Sequence, residues 1–190
     1  ADSFCPVEFQ NVTFRYEEND PDILQGLSFS VKEGEQVTLT GRTGAGKSTI
    51  FKLLLGLYKP QKGQVLINGQ PAQTLSDHQR RKTISCVEQN FSMVPGTVRD
   101  QITLFDPSIS DEQVQYAAHL TGLHDVICGF SDGYDTLCRT DLFSQGQWQL
   151  LSIARAVAAN PRILLLDEIT ANLDADTEKA VLSALNRAGN

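Results

Sequence analysis

The chain has 190 residues, 41% of them hydrophobic and 21% charged, which suits one domain with an ordinary core and excludes a disordered polyampholyte. Its formal charge of −7 disfavours nucleic acid as the main partner, because binding a phosphate backbone calls for a basic face. No apolar run approaches the roughly 18 residues of a membrane span, and Ala1, Asp2 and Ser3 do not open a signal peptide.

The first element expected is a strand. Val7 and Phe9, then Val12, Phe14 and Tyr16, alternate with polar residues, and the break in phase places a slip or bulge near Asn11. A polar turn over residues 17–21 leads to a second strand, 24–31, with Leu27, Phe29 and Val31 on one face. After a turn at Gly34, the β-leaning run 36–40 enters Gly41, Arg42, Thr43, Gly44, Ala45, Gly46, Lys47, Ser48 and Thr49. These residues fit the phosphate-loop pattern G-x-x-x-x-G-K-[ST], and a helical pattern over 50–57 follows. Strand, glycine loop and helix in this order form a cradle of N–H groups for phosphate. Lys47 would reach the β- and γ-phosphates and the Ser48 hydroxyl would ligate Mg²⁺, so the chain is expected to bind a nucleoside triphosphate.

Residues 64–69 read as a strand ending in an Asn68-Gly69 turn, and 84–88 as a short buried strand. From Gly96 to about Ala159 helical patterns dominate, at 97–103, 111–121, 124–130 and 145–159. Ser110 and Gln113 have the spacing of a capping box. Residues 162–167 are too continuously apolar for a half-exposed strand and suit a parallel strand buried on both faces. Residues 177–188 read as a last helix. Cys5, Cys86, Cys128 and Cys138 form no C-x-x-C pair and read as free thiols of a reducing cytosol. His78, His119 and His124 lack metal spacing and are expected to pack or lie on the surface.

Two further stretches carry chemistry. Asp167 and Glu168 end the apolar run, where the first acid can hold Mg²⁺ through water and the second can accept a proton from attacking water. Phe143, Ser144, Gln145, Gly146 and Gln147 precede the helix that leads to this strand, and they resemble the Leu-Ser-Gly-Gly-Gln signature of ABC-type ATPases. With the phosphate loop and the acidic pair in this order, the resemblance covers essentially the whole chain.

That resemblance implies an α/β phosphate-loop NTPase core with a β-rich N-terminal subdomain and an inserted helical subdomain. Residues 1–89 and 160–190 would form the core, and 90–159 the helical part with the signature. ATP would be the nucleotide and Mg²⁺ its ion. Tyr16 would stack on adenine, Gln89 would touch Mg²⁺ and sense the transport partner, and Ala171, Asn172, Leu173 and Asp174 would form the D-loop. The Ser144 hydroxyl and the N–H groups of Gly146 and Gln147 would hold the γ-phosphate bound by a second, head-to-tail domain, in a homo- or heterodimer.

Gln145 replaces the first signature glycine, and Phe143 replaces the usual leucine and should pack as it does. Residues 92–100 and 134–137 look exporter-like, although 138–141 lack the acidic, glycine-containing turn that normally follows. The implied function is the ATPase motor of an exporter, at the cytoplasmic face of a membrane through transmembrane partner domains. A binding-only regulatory domain, or a soluble ATPase of the same superfamily, remains an alternative. The family's next strand, with its switch histidine, has no counterpart before Asn190, and reduced stability and weak turnover are expected on that account.

Overall fold

The computed structural model describes residues 5–33, 45–87 and 91–166, together with Ala175 and Lys179, which are helical. Two compact units follow one another along the chain, Ala1–Thr83 and Ile84–Asn190. The strand expected at 36–40, the D-loop at 171–174 and most of the last helix lie outside the described residues.

The first unit is built on an antiparallel sheet of order β2-β1-β3-β4, formed by β1 (Val7–Phe14), β2 (Leu24–Val31), β3 (Lys62–Ile67) and β4 (Gln70–Pro71). Val7, Phe9, Val12 and Phe14 are buried along β1, as their alternation requires, and Phe9 stacks on Phe29 across the β1–β2 pair at 4.5 Å. The phase break is a bulge. Register shifts occur between Phe9 and Val12 against β2, and Asn11 turns left-handed at φ 49°. Ser28 pins it, accepting the Asn11 N–H at 2.9 Å and donating to the Asn11 side chain at 3.1 Å. Asn68 and Gly69, both at positive φ, make the tight turn from β3 to β4 that suits a right-twisted hairpin.

Helix α1 (Ala45–Leu54) lays Ile50, Leu53 and Leu54 into the core against β3. It stops at Gly56, φ 70°, where the Gly56 N–H bonds the Leu53 carbonyl and the Leu57 N–H bonds that of Lys52, the paired bonds of a Schellman end. Helix α2 (Asp77–Thr83) has no counterpart in the sequence reading. Its buried residues are Thr83 and Arg80, the latter 7% exposed, whose guanidinium donates to the carbonyls of Ala72 and Leu75, both at 3.0 Å. A buried cation supplied with carbonyls replaces the apolar stripe that would have marked the helix.

The second unit pairs β5 (Ile84–Val87) in parallel with β6 (Ile163–Leu166). The parallel pairing expected for the apolar run is present, and Ile163 is buried while Leu164 and Leu165 are half-buried. Around it fold α3 (Val98–Thr103), α4 (Asp111–Leu120), α5 (His124–Cys128) and α6 (Gln145–Ala158), each within a few residues of its expected span. Val98, Ile102, Val114, Leu123, Ile127 and Leu151 form the centre of their core. At roughly 1.5–3 kcal/mol per buried side chain, this cluster is what holds the short helices together. The Ser110–Gln113 capping box is present, and Thr97–Asp100 and Ser144–Gln147 form two more. All four cysteines are free thiols. His119 and His124 stack at 3.8 Å, and the Tyr134 hydroxyl lies 2.7 Å from His124 Nδ1.

Two consequences can be measured. At Gly63, φ 75°, an added Cβ would lie 2.2 Å from the Gln10 carbonyl oxygen and 2.4 Å from that of Asn11. Gly63→Ala should therefore cost at least about 2 kcal/mol in a urea denaturation series. Burial pushes the Tyr134 phenol up from 10.0 to about 12. The unfolded phenol ionises first, so this contribution is complete below pH 10 and declines as pH rises towards 12. The stability difference between the protein and its Tyr134→Phe variant should shrink over that window.

Candidate functional site

The phosphate loop is described from the point where it becomes helix. Residues 41–44 lie outside the described residues, whereas Ala45, Gly46, Lys47, Ser48 and Thr49 form the start of α1. A helix start leaves its first N–H groups without intrahelical partners and carries a partial positive charge. Here, among the described residues, nothing stands within 4 Å of where a Cβ of Gly46 would be, Ser48 is exposed, and the first turn has no acidic residue. Thr49 is 0% exposed.

Tyr16 belongs to the same neighbourhood. Its hydroxyl lies 2.8 Å from the Thr49 hydroxyl, fastening the turn after β1 to α1. Its ring meets Phe14 and Tyr58 edge-on at 5.0 and 5.2 Å, and Lys52 Nζ lies 5.2 Å from its centroid. Gln61 fixes the residue before it, accepting the Arg15 N–H at 2.9 Å and donating to the Arg15 carbonyl at 2.7 Å. Thr49 thus supports Tyr16 from within the core. Lys52 and Tyr58 are neighbours of Tyr16 that the motif does not contain, since the spacing that reveals Lys47 says nothing about the outer face of α1.

In the second unit the signature residues begin α6. Ser144 is the N-cap: its hydroxyl accepts the Gln147 N–H at 3.2 Å, and Gln147 Oε1 accepts the Ser144 N–H at 2.9 Å. Ser144, Gln145 and Gly146 are exposed, no described residue stands within 4 Å of where a Cβ of Gly146 would be, and the first turn again has no acidic residue. Phe143 is buried as expected, with Phe130 and Trp148 edge-on at 5.6 and 5.0 Å. Among the described α-helices, α2, α3, α4 and α5 all carry Asp or Glu in their first turn. Only α1 and α6 do not, and these are the two that the motifs single out.

Gln89, Asp167 and Glu168 lie outside the described residues. The strands that lead to them are paired, with Val87 opposite Leu166, so both segments leave from the carboxyl end of one parallel pair. Sheets of this kind place ligands at that edge. Among the described residues no cluster of His, Cys, Asp and Glu could hold a metal, and no helix is long and apolar enough to cross a membrane.

A family model described as "ABC transporter" matches residues 24–171. The "Toxin RTX-III translocation ATP-binding protein" of Actinobacillus pleuropneumoniae is 41% identical over 187 residues, covering 97% of this chain and 26% of that protein. The "Alpha-hemolysin translocation ATP-binding protein HlyB" of Escherichia coli is 37% identical over 183 residues, with 95% of this chain and 26% of that protein covered. A structure of a bacterial Atm1-family ABC exporter with ATP bound is similar at TM-score 0.82 and 35% identity, over 100% of this chain and 33% of that one. The chain belongs to the ABC transporter family, and it has the mixed α/β fold of that family's ATP-binding domain. It spans about a quarter of the length of the curated relatives it matches.

The cap gives a prediction independent of any ligand. Ser144→Ala should cost about 1 kcal/mol of stability in nucleotide-free protein, and Ser144→Thr should recover most of it, by urea denaturation.

Proposed function

We propose that this chain is the ATP-binding and ATP-hydrolysing motor of an exporter, acting at the cytoplasmic face of a membrane through transmembrane partner domains. Its core would be residues 1–89 and 160–190, and its signature-bearing helical subdomain 90–159. The observation that carries the reading is charge placement. In a chain of net charge −7, the starts of α1 and α6 alone among the described α-helices lack acids, and they hold the end of the phosphate loop and the signature stretch. Anionic ligands are stabilised at such helix starts.

On this reading Gly41, Arg42, Thr43, Gly44, Ala45 and Gly46 wrap the phosphates with backbone N–H groups, and Lys47 neutralises the β- and γ-oxygens. Tyr16 offers its ring to adenine, with Thr49 behind it. Ser144, Gln145, Gly146 and Gln147 receive the γ-phosphate of ATP held by a second, head-to-tail domain. Glu168 orients the attacking water and takes its proton. Ser48, Asp167 and Gln89 offer oxygen donors only, a set that suits Mg²⁺ rather than a softer metal. Bound there, Mg²⁺ would neutralise charge on the phosphate oxygens.

The test is ATP turnover against protein concentration. Turnover should rise faster than linearly, because each site needs a second domain. Glu168→Gln should lower it by about 100-fold or more while nucleotide binding persists. Lys47→Ala should lose binding itself. ATP binding without turnover at any concentration would instead establish a regulatory, binding-only domain.

A further inference from the structure

The stretch that follows Gln89 is neither helix nor strand from Phe91 to Val94, so side chains must satisfy its backbone. They come from two helices. Gln101 of α3, 0% exposed, accepts the Val94 N–H at 2.9 Å and donates to the carbonyls of Val94 at 2.7 Å and Thr97 at 3.2 Å. Arg155 of α6 donates from Nη1 to the Ser92 carbonyl at 3.0 Å and from Nε to the Gln101 carbonyl at 2.6 Å. The same guanidinium lies over the Phe91 ring, 4.0 Å from its centroid. Phe91 in turn meets Trp148, near the start of α6, at 5.1 Å.

This short stretch is therefore held towards both ends of α6. Arg155 grips it in the last turn and Trp148 touches it near the signature residues, about 10 Å away along the axis at 1.5 Å per residue. An arginine is needed for the grip, because one planar group must reach two carbonyls and present a flat face to an aromatic ring. A lysine keeps the charge but supplies only a single ammonium point.

We infer that Arg155 is a positioning residue: with Gln101 it binds residues 91–94 to α6, so that this stretch and the signature helix move as one piece. The inference rests on the ATPase reading, in which nucleotide acts at Gln89 and at Ser144. A displacement that begins at Gln89 then reaches the start of α6 instead of dissipating in an irregular segment. Arg155 touches no nucleotide and does no chemistry of its own.

Trp148 makes this measurable, since it is the sole tryptophan of the chain and sits in the seam. Its emission should change when ATP and Mg²⁺ are titrated into the protein, and nucleotide affinity can be measured in parallel by equilibrium dialysis. Arg155→Lys should keep the Kd for ATP within about twofold yet lose at least about half of the Trp148 response, and kcat should fall about tenfold at an unchanged KM. Phe91→Leu, which keeps an apolar side chain but removes the ring beneath Arg155, is a second variant that should weaken the response in the same direction. An undiminished Trp148 response and kcat in folded Arg155→Lys would overturn the inference, as would ATP binding by the unaltered protein without any Trp148 change. Failure of the unaltered protein to bind ATP would overturn the ATPase reading instead.

Discussion

Every helix begins with N–H groups that the helix itself cannot satisfy, and this protein resolves that constraint in two different ways. Where a helix only builds the fold, an acid sits in the first turn: Asp77 in α2, Asp100 in α3, Asp111 and Glu112 in α4, Asp125 in α5. Where the motifs place phosphate, at α1 and α6, the first turn carries none. A carboxylate there would stabilise the empty helix by typically 0.3–1 kcal/mol and would repel an anionic ligand. Leaving it out sacrifices a little stability in the free protein and keeps the positive end of the dipole available.

The rest of each unit serves to fix those two helix starts. In the first, the bulge at Asn11 lets β1 stay paired on both sides while its apolar residues return to the buried face. Gln61 and Thr49 then set the course of the chain as it leaves β1, so Tyr16 comes to rest beside α1. In the second, Phe143 anchors the residue before the cap among Phe130 and Trp148, and the buried core beneath α6 keeps its axis in place.

Much of this was legible in the sequence because it depends on local chemistry. The phase break at Asn11, the Asn68-Gly69 turn, the Ser110 cap and the apolar run at 163–166 each depend on a few adjacent residues, and each is present. Helix α2 was not legible, because its buried residues are both polar, Thr83 and an arginine supplied with carbonyls from residues 72 and 75. The support of Tyr16 by Thr49 spans 33 positions and follows from no spacing rule. The clamp of Arg155 on Ser92 spans 63, and an arginine in the last turn of a helix reads at first only as a favourable charge near the dipole's negative end.

The choice of serine at the start of α6 follows from the same constraint. A hydroxyl has two acceptor lone pairs and one proton, so Ser144 can accept the Gln147 N–H and still donate outward. An aspartate would cap the helix as well, but it would bring a negative charge and no donor to the position where the proposed function places phosphate. The Gln147 side chain accepts the Ser144 N–H at 2.9 Å, and Gln145 and Gly146, the first two residues of the helix, are exposed. Capping and anion binding are therefore compatible at one residue. This pentapeptide can hold a stable helix end in the free protein and still offer a hydroxyl to the γ-phosphate that the proposed function brings there.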